Sequence, residues 1–134
     1  MKIEAYIEQQ LEDRRDMLTA LHSVILQNDP TVVATIAPMM GKEMILYIDR
    51  GMMKYGLASV KNYLSLHVLP IYGSASLHQK YQALLPLASF QKGCINFKNE
   101  LEMPVGIVQG LIADCAPIDL IKIRTDYLQS KKKK

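Results

Sequence analysis

Carboxylates at Glu4, Glu8, Glu12 and Asp16 follow one another at unbroken steps of four in "KIEAYIEQQLEDRRDM", residues 2 to 17. On a helix such steps bring like charges together, at a cost of about 0.2–0.5 kcal/mol per pair. Two kinds of chemistry account for the row. One is a solvated helix face: Glu4 and Glu8 fall near a helix N-terminus, where the macrodipole favours negative charge by about 0.3–1 kcal/mol, and Arg15 offsets part of the repulsion. The other is a hard cation shared between adjacent carboxylates, weakly held because exposed oxygens close no cage. A row stepping by four also drifts by about 40° per step, so Glu4 and Asp16 do not face one way.

The remaining chemistry-bearing residues are dispersed. His22, His67 and His78 form no HxH or HxxxH pair, so they carry no metal-ligand signature. Cys94 and Cys115 show no CxxC spacing, which speaks against a disulfide framework and for a reduced protein. Cys94 shares strand parity with Asn96 and is expected to be accessible, whereas Cys115 reads as a small buried apolar side chain. Arg14 lies within the apolar arc of its helix, either laying its stem along the core edge or meeting an anion. The seven glycines make no dinucleotide or P-loop pattern, and no nucleophile stands beside an evident base. The pattern therefore favours a binding protein over an enzyme.

The 134 residues suit one domain with a real core, read as 1–130 followed by a disordered basic tail at 131–134. Apolar residues make up 49% and charged residues 22%, an ordinary globular balance. The net charge of +3 comes from the four terminal lysines; without them 12 basic residues face 13 acidic ones. The body thus lacks the basic stripe of a nucleic-acid binder. No apolar run suggests a membrane span, and the charged amphipathic start is unlike a secretory signal. A cytoplasmic protein is expected.

These residues need elements to hold them. Ile3, Ile7, Leu11, Leu18, Leu21 and Ile25 share one arc at 100° per residue, predicting a single helix over 3–28 that Asn28-Asp29-Pro30 ends. A short helix is expected over 31–37. Strands are expected over 43–49 and 52–60, joined by an Arg50-Gly51 hairpin, then over 63–69 after Lys61-Asn62. Ser74 or Ser76 caps a helix to about Leu85, Gly93 introduces a strand over 94–98, and Pro104 opens a helix to about Ala116. A last helix covers 118–129.

The order predicts an α+β two-layer sandwich, a mainly antiparallel sheet with helices on one face. Parity places Met44, Leu46 and Ile48, Leu64, Leu66 and Val68, and Ile95 and Phe97 beneath the helices. The other face then carries Tyr47, Tyr63, Ser65, His67, Cys94 and Asn96. It is either an ordinary solvated face or a docking surface for a protein partner or a second copy of the chain.

Three segments resemble the YdhG-like family of small bacterial proteins: "IEAYIEQ" at the start of the first helix, "VKNYLSLHVLPIYG" in the middle, and "QKGCINFKNELEMP" before the Pro-started helix. Together they cover about residues 3 to 116. The resemblance implies a frataxin-like fold and, for some members, iron binding and delivery. It would place the metal on Glu4, Glu8, Glu12 and Asp16. Tyr63 stands where relatives often have a histidine, and "APMMGKEMILYI" lacks the aromatic residue common after its proline.

Overall fold

The protein is described by a computed structural model covering residues 2–39, 41–91 and 93–132. Of the basic tail expected over 131–134, Lys133 and Lys134 lie outside the described residues, while Lys131 and Lys132 close the last helix.

The chain opens with two helices, α1 (Ile3–Glu8) and α2 (Glu12–Asn28), where one was expected. A straight helix over 3–28 would run about 39 Å, beyond the roughly 30 Å diameter of a small domain. The break lets α1 lie against the first strand while α2 packs on the sheet and a later helix. Side chains absorb the loose backbone groups at the break. Gln10 Nε2 donates to Tyr6 O at 3.0 Å, and Arg15 Nε donates to Gln10 O at 2.8 Å. Leu11, placed by periodicity in the apolar arc, caps α2 instead and is 71% exposed.

Six strands follow in one antiparallel sheet: β1 (Val33–Met39), β2 (Lys42–Asp49), β3 (Met52–Ser59), β4 (Leu64–Val68), β5 (Ser89–Gln91) and β6 (Cys94–Phe97), in the order β1-β2-β3-β4-β6-β5. The helix expected over 31–37 is therefore β1. Its Val, Thr and Ile suit a strand, and Pro38 is tolerated because β1 is an edge. Strand β5 went unforeseen; it has only three residues. The β2–β3 turn is as expected, with Arg50 at φ 49° and Gly51 at φ 85°, the left-handed pair that a two-residue hairpin requires. A 3-10 turn (Leu69–Gly73) leads to α3 (Ala75–Leu84), whose Ser74 cap accepts from Leu77 N. Then come α4 (Val105–Cys115), for which Pro104 is the cap rather than the first helical residue, and α5 (Leu120–Lys132).

The core lies between α2, α4 and one face of the sheet, filled by Leu18, Leu21, Ile25, Leu57, Leu64, Leu66, Val68, Phe97, Leu111 and Ile112. The architecture is α+β, with an open six-stranded antiparallel sheet.

Strand β2 takes the opposite parity from the one expected. Ile45 and Tyr47 are fully buried among core residues, and Met44, Leu46 and Ile48 turn to the other face. Both rows of β2 carry large apolar side chains, Met44, Leu46 and Ile48 on one and Ile45 and Tyr47 between Glu43 and Asp49 on the other, and the wholly apolar row is not the one that packs under the helices. Tyr47 decides it, because burial of its ring brings its hydroxyl to 2.6 Å from His22 Nδ1 on α2. A buried phenol needs such a partner.

Candidate functional site

The acidic row lies on two helices. Glu4, Glu8, Glu12 and Asp16 are all exposed, as a solvated face requires, but the break after α1 separates the first pair from the second. Glu12 and Asp16 share a shallow hollow with Asp13 and with Glu100 from the loop before α4. Glu4 faces elsewhere. Burial pulls the His22 imidazole below its ordinary value, and the nearby Glu4 charge opposes that shift. No set of three His, Cys, Asp or Glu side chains among the described residues is grouped to hold a metal ion.

The sheet face away from the helices gathers five of the six residues expected there. Tyr47 is the exception, being buried on the helix side. Tyr63, Ser65 and His67 from the β4 segment stand beside Cys94 and Asn96 from β6, because β4 and β6 pair His67 with Cys94 and Ser65 with Asn96. These side chains form the polar wall of a cavity of about 300 Å³ whose other wall is Met39, Met44, Ala58 and Val60, with Lys42 and Gln91 also lining it. Met39 on one edge strand and Gln91 on the other both line the cavity, so side chains from both edges of the sheet reach one hollow on its free face.

Gly56 helps shape it. A β-carbon there would come within 2.6 Å of Met53 Cε and 2.8 Å of Met44 Cε, so its absence lets two methionine tips lie against the sheet.

Two features of that wall carry chemistry. Cys94 Sγ lies 3.0 Å from His67 Nδ1, a cross-strand thiol–imidazole contact. Burial raises the Cys94 pKa, with a hydrogen bond to Ser65 pulling the other way, and burial lowers that of His67. Both shifts favour the uncharged thiol and uncharged imidazole at neutral pH. The second feature is Asn96. It is 6% exposed, and its Oδ1 is buried without a hydrogen-bond partner among the described residues. An orphaned buried acceptor costs about 1–3 kcal/mol, and this one, without accessible surface, lies behind the wall rather than open to the cavity.

A second polar cluster gave no sequence signal. Between Tyr47 and Ile48 the β2–β3 register shifts: Tyr47 pairs with Tyr55, but Ile48 pairs with Met53. Lys54 is the extra residue of a β-bulge, which sends it and Tyr55 toward the helix side together. Lys54 Nζ lies 2.8 Å from Asp29 Oδ2, and Tyr55 Oη donates to the same oxygen at 2.6 Å. Thr31 N donates to Asp29 Oδ1 at 3.0 Å, and Lys54 Nζ also donates to Thr31 Oγ1 and Ala116 O. Burial would raise the Asp29 pKa, but hydrogen bonds from Lys54, Thr31 and Tyr55 outweigh it and hold the carboxyl below its usual range. The Tyr55 phenol is driven up by burial and by Asp29. Neighbouring Cys115 is fully buried as expected, its thiol pushed up to about 12 by burial. With side chains 2% and 0% exposed, Lys54 and Asp29 have no access to a ligand. They tie together the end of α2, the start of β1, the bulge and the end of α4.

Arg14 has a structural role too. It is 6% exposed, and its Nη1 donates to Val60 O at 2.7 Å and Tyr63 O at 2.6 Å. Rather than reaching solvent or an anion, it clasps the β3–β4 turn, whose Val60 and Tyr63 also line the cavity.

No helix among the described residues is long and apolar enough to cross a membrane. Comparison with known proteins found no matching family model, no matching curated protein and no matching solved structure.

Proposed function

We propose that this protein is a non-catalytic binding module that receives a small organic ligand in the cavity on the free face of its sheet. The cavity in the free sheet face, with Tyr63, Ser65, His67 and Cys94 opposite Met39, Met44, Ala58 and Val60, carries this reading. An apolar wall facing a few convergent polar groups is the usual composition of a ligand site, and about 300 Å³ is the lower end of the usual size. A protein partner or a second copy of the chain would use the same face. The finer assignment to a YdhG-like domain rests on the three quoted segments, which fall on α1, on β4 with its flanking turns, and from β6 to the start of α4.

Ferrous iron on the acidic row is the second reading. It draws support from Glu12, Asp13, Asp16 and Glu100 sharing one hollow. One NMR experiment compares the two, titrating the ¹⁵N-labelled protein with a library of small amides and acids and, under anaerobic conditions, with ferrous iron. Ligand-induced shifts confined to 63–67 and 94–96 are expected. Iron broadening confined to α1 and α2, lost in the Glu8→Gln/Glu12→Gln double variant, would put the function on the helices instead. Shifts that scale with protein concentration alone would assign the sheet face to self-association.

A further inference from the structure

Soft donors gather around one point on the free face of the sheet. Cys94 Sγ on β6 lies 3.0 Å from His67 Nδ1 on β4, and both side chains line the cavity. Gly56 on β3 pairs with His67. A β-carbon at Gly56 would lie 3.6 Å from His67 Cβ and 2.8 Å from Met44 Cε. The Met44 thioether, from β2, therefore reaches over the gap that Gly56 leaves and ends beside His67. We propose that Cys94, His67 and Met44 form a three-coordinate site for monovalent copper in the cavity wall. This goes beyond the organic-ligand reading and does not rest on it, since every donor comes from the protein.

Donor softness selects the ion. Thiolate and thioether sulfur favour Cu(I), whereas zinc sites draw their ligands from Cys, His, Asp and Glu. Among the described residues no third member of those four types joins Cys94 and His67, and no carboxylate lines the cavity. Charge points the same way. One thiolate neutralises a monovalent ion, the thiol proton leaves to solvent, and no oxidation state changes. A divalent ion would leave a net positive charge beside Lys42, the one charged side chain among the described residues of the lining, and an uncompensated charge away from water is costly.

The Cys94–His67 pair needs little adjustment to hold a metal. At about 2.3 Å from sulfur and about 2.0 Å from nitrogen, the lengths usual for a d¹⁰ ion, donors 3.0 Å apart subtend about 90°. Opening that angle to the trigonal value separates them by about 0.7 Å, a shift open to two side chains that are only partly buried. Met53 Cε comes within 2.6 Å of the same position over Gly56, but Met53 does not line the cavity. Met44 is therefore the thioether ligand, and Met53 is its control. Cys115, fully buried in the core under the helices, takes no part.

The test titrates the reduced full chain, without oxygen, into Cu(I) held by bicinchoninate, a chelator whose colour reports the copper it keeps. One equivalent should pass to the wild type. Removing an outer partner of a metal ligand already costs about 10–100-fold in affinity, so Cys94→Ser, His67→Gln and Met44→Leu should each weaken binding at least about tenfold. Met53→Leu should leave it unchanged. Amide NMR spectra check that each variant is folded, and Met44→Leu conserves volume and apolarity, so its effect reads the thioether rather than the packing. Copper-edge X-ray absorption on selenomethionine-labelled protein should show a selenium neighbour that Met44→Leu removes, beside sulfur and imidazole. Copper left wholly with the chelator, copper held by Cys94 without selenium or imidazole, or full affinity in Met44→Leu would each overturn the proposal. None of these outcomes touches the organic-ligand reading, which the titration of metal-free protein decides.

Discussion

Asp29, Lys54 and Tyr55 show how much one buried charge pair can demand of its surroundings. A carboxylate at zero exposure is tolerable only because Lys54 neutralises it while Tyr55 and Thr31 complete its hydrogen bonding. Removing one partner strands the other, so Lys54→Met should cost about 3–5 kcal/mol. The double variant Asp29→Leu/Lys54→Met should recover most of that loss, because an apolar pair leaves no charge behind. Urea denaturation at pH 7 measures both. Because Asp29's pKa is lower folded than unfolded, its stabilisation is present above the unfolded value of about 4 and disappears as pH falls through the folded value. The wild type should therefore lose stability below about pH 4 more steeply than the double variant. Equal acid slopes would show that Asp29 contributes nothing to acid sensitivity.

Among the elements, the β3–β4 turn is the one on which the cavity most depends, and α2 holds it through a single side chain. Arg14 reaches Val60 O and Tyr63 O with one nitrogen, and the turn's own bond from Val60 N to Tyr63 O, at 3.0 Å, lies within that clasp. Arg14→Met keeps the apolar stem and removes the charged donor, so about 2–3 kcal/mol should be lost. Amide exchange at Val60 should accelerate with it, and Arg14→Lys, which keeps a charged donor, should recover part of both effects. Unchanged exchange at Val60 would mean that the turn holds itself without Arg14. The same turn bears Tyr63, so binding in the cavity should weaken alongside stability.

At the scale of the whole molecule, the core closes without α5. None of that helix's described residues is buried, and Ile123, Tyr127 and Leu128 are about half exposed. Its first turn is tethered by Arg50, whose guanidinium lies 2.8 Å from Asp119 just before the helix. Deleting residues 120–134 should therefore change unfolding stability by less than about 1 kcal/mol, measured by thermal or urea denaturation beside the full chain. A loss of several kcal/mol would place α5 among the packed elements.

The sequence by itself determined the class of the fold and most of its elements. Alternation is strong where one row is apolar and the other polar, so Leu64, Leu66 and Val68 fell beneath the helices and Ser65, His67, Cys94 and Asn96 on the free face, as parity required. Turn chemistry placed the Arg50-Gly51 hairpin and the Ser74 cap for equally local reasons. Tertiary structure decided the rest. Strand β2 has large apolar side chains on both rows, and only the partnership of Tyr47 with His22 on another element chose between them. The helical period of 3–28 ran on past Leu11, but the size of the domain broke it, and the acidic row broke with it. The bulge at Lys54 leaves no mark in local periodicity, since it exists to meet Asp29 across the chain. The cavity is likewise invisible from the residues alone, because its lining comes from all six strands and their connections, which only the pairing order brings together.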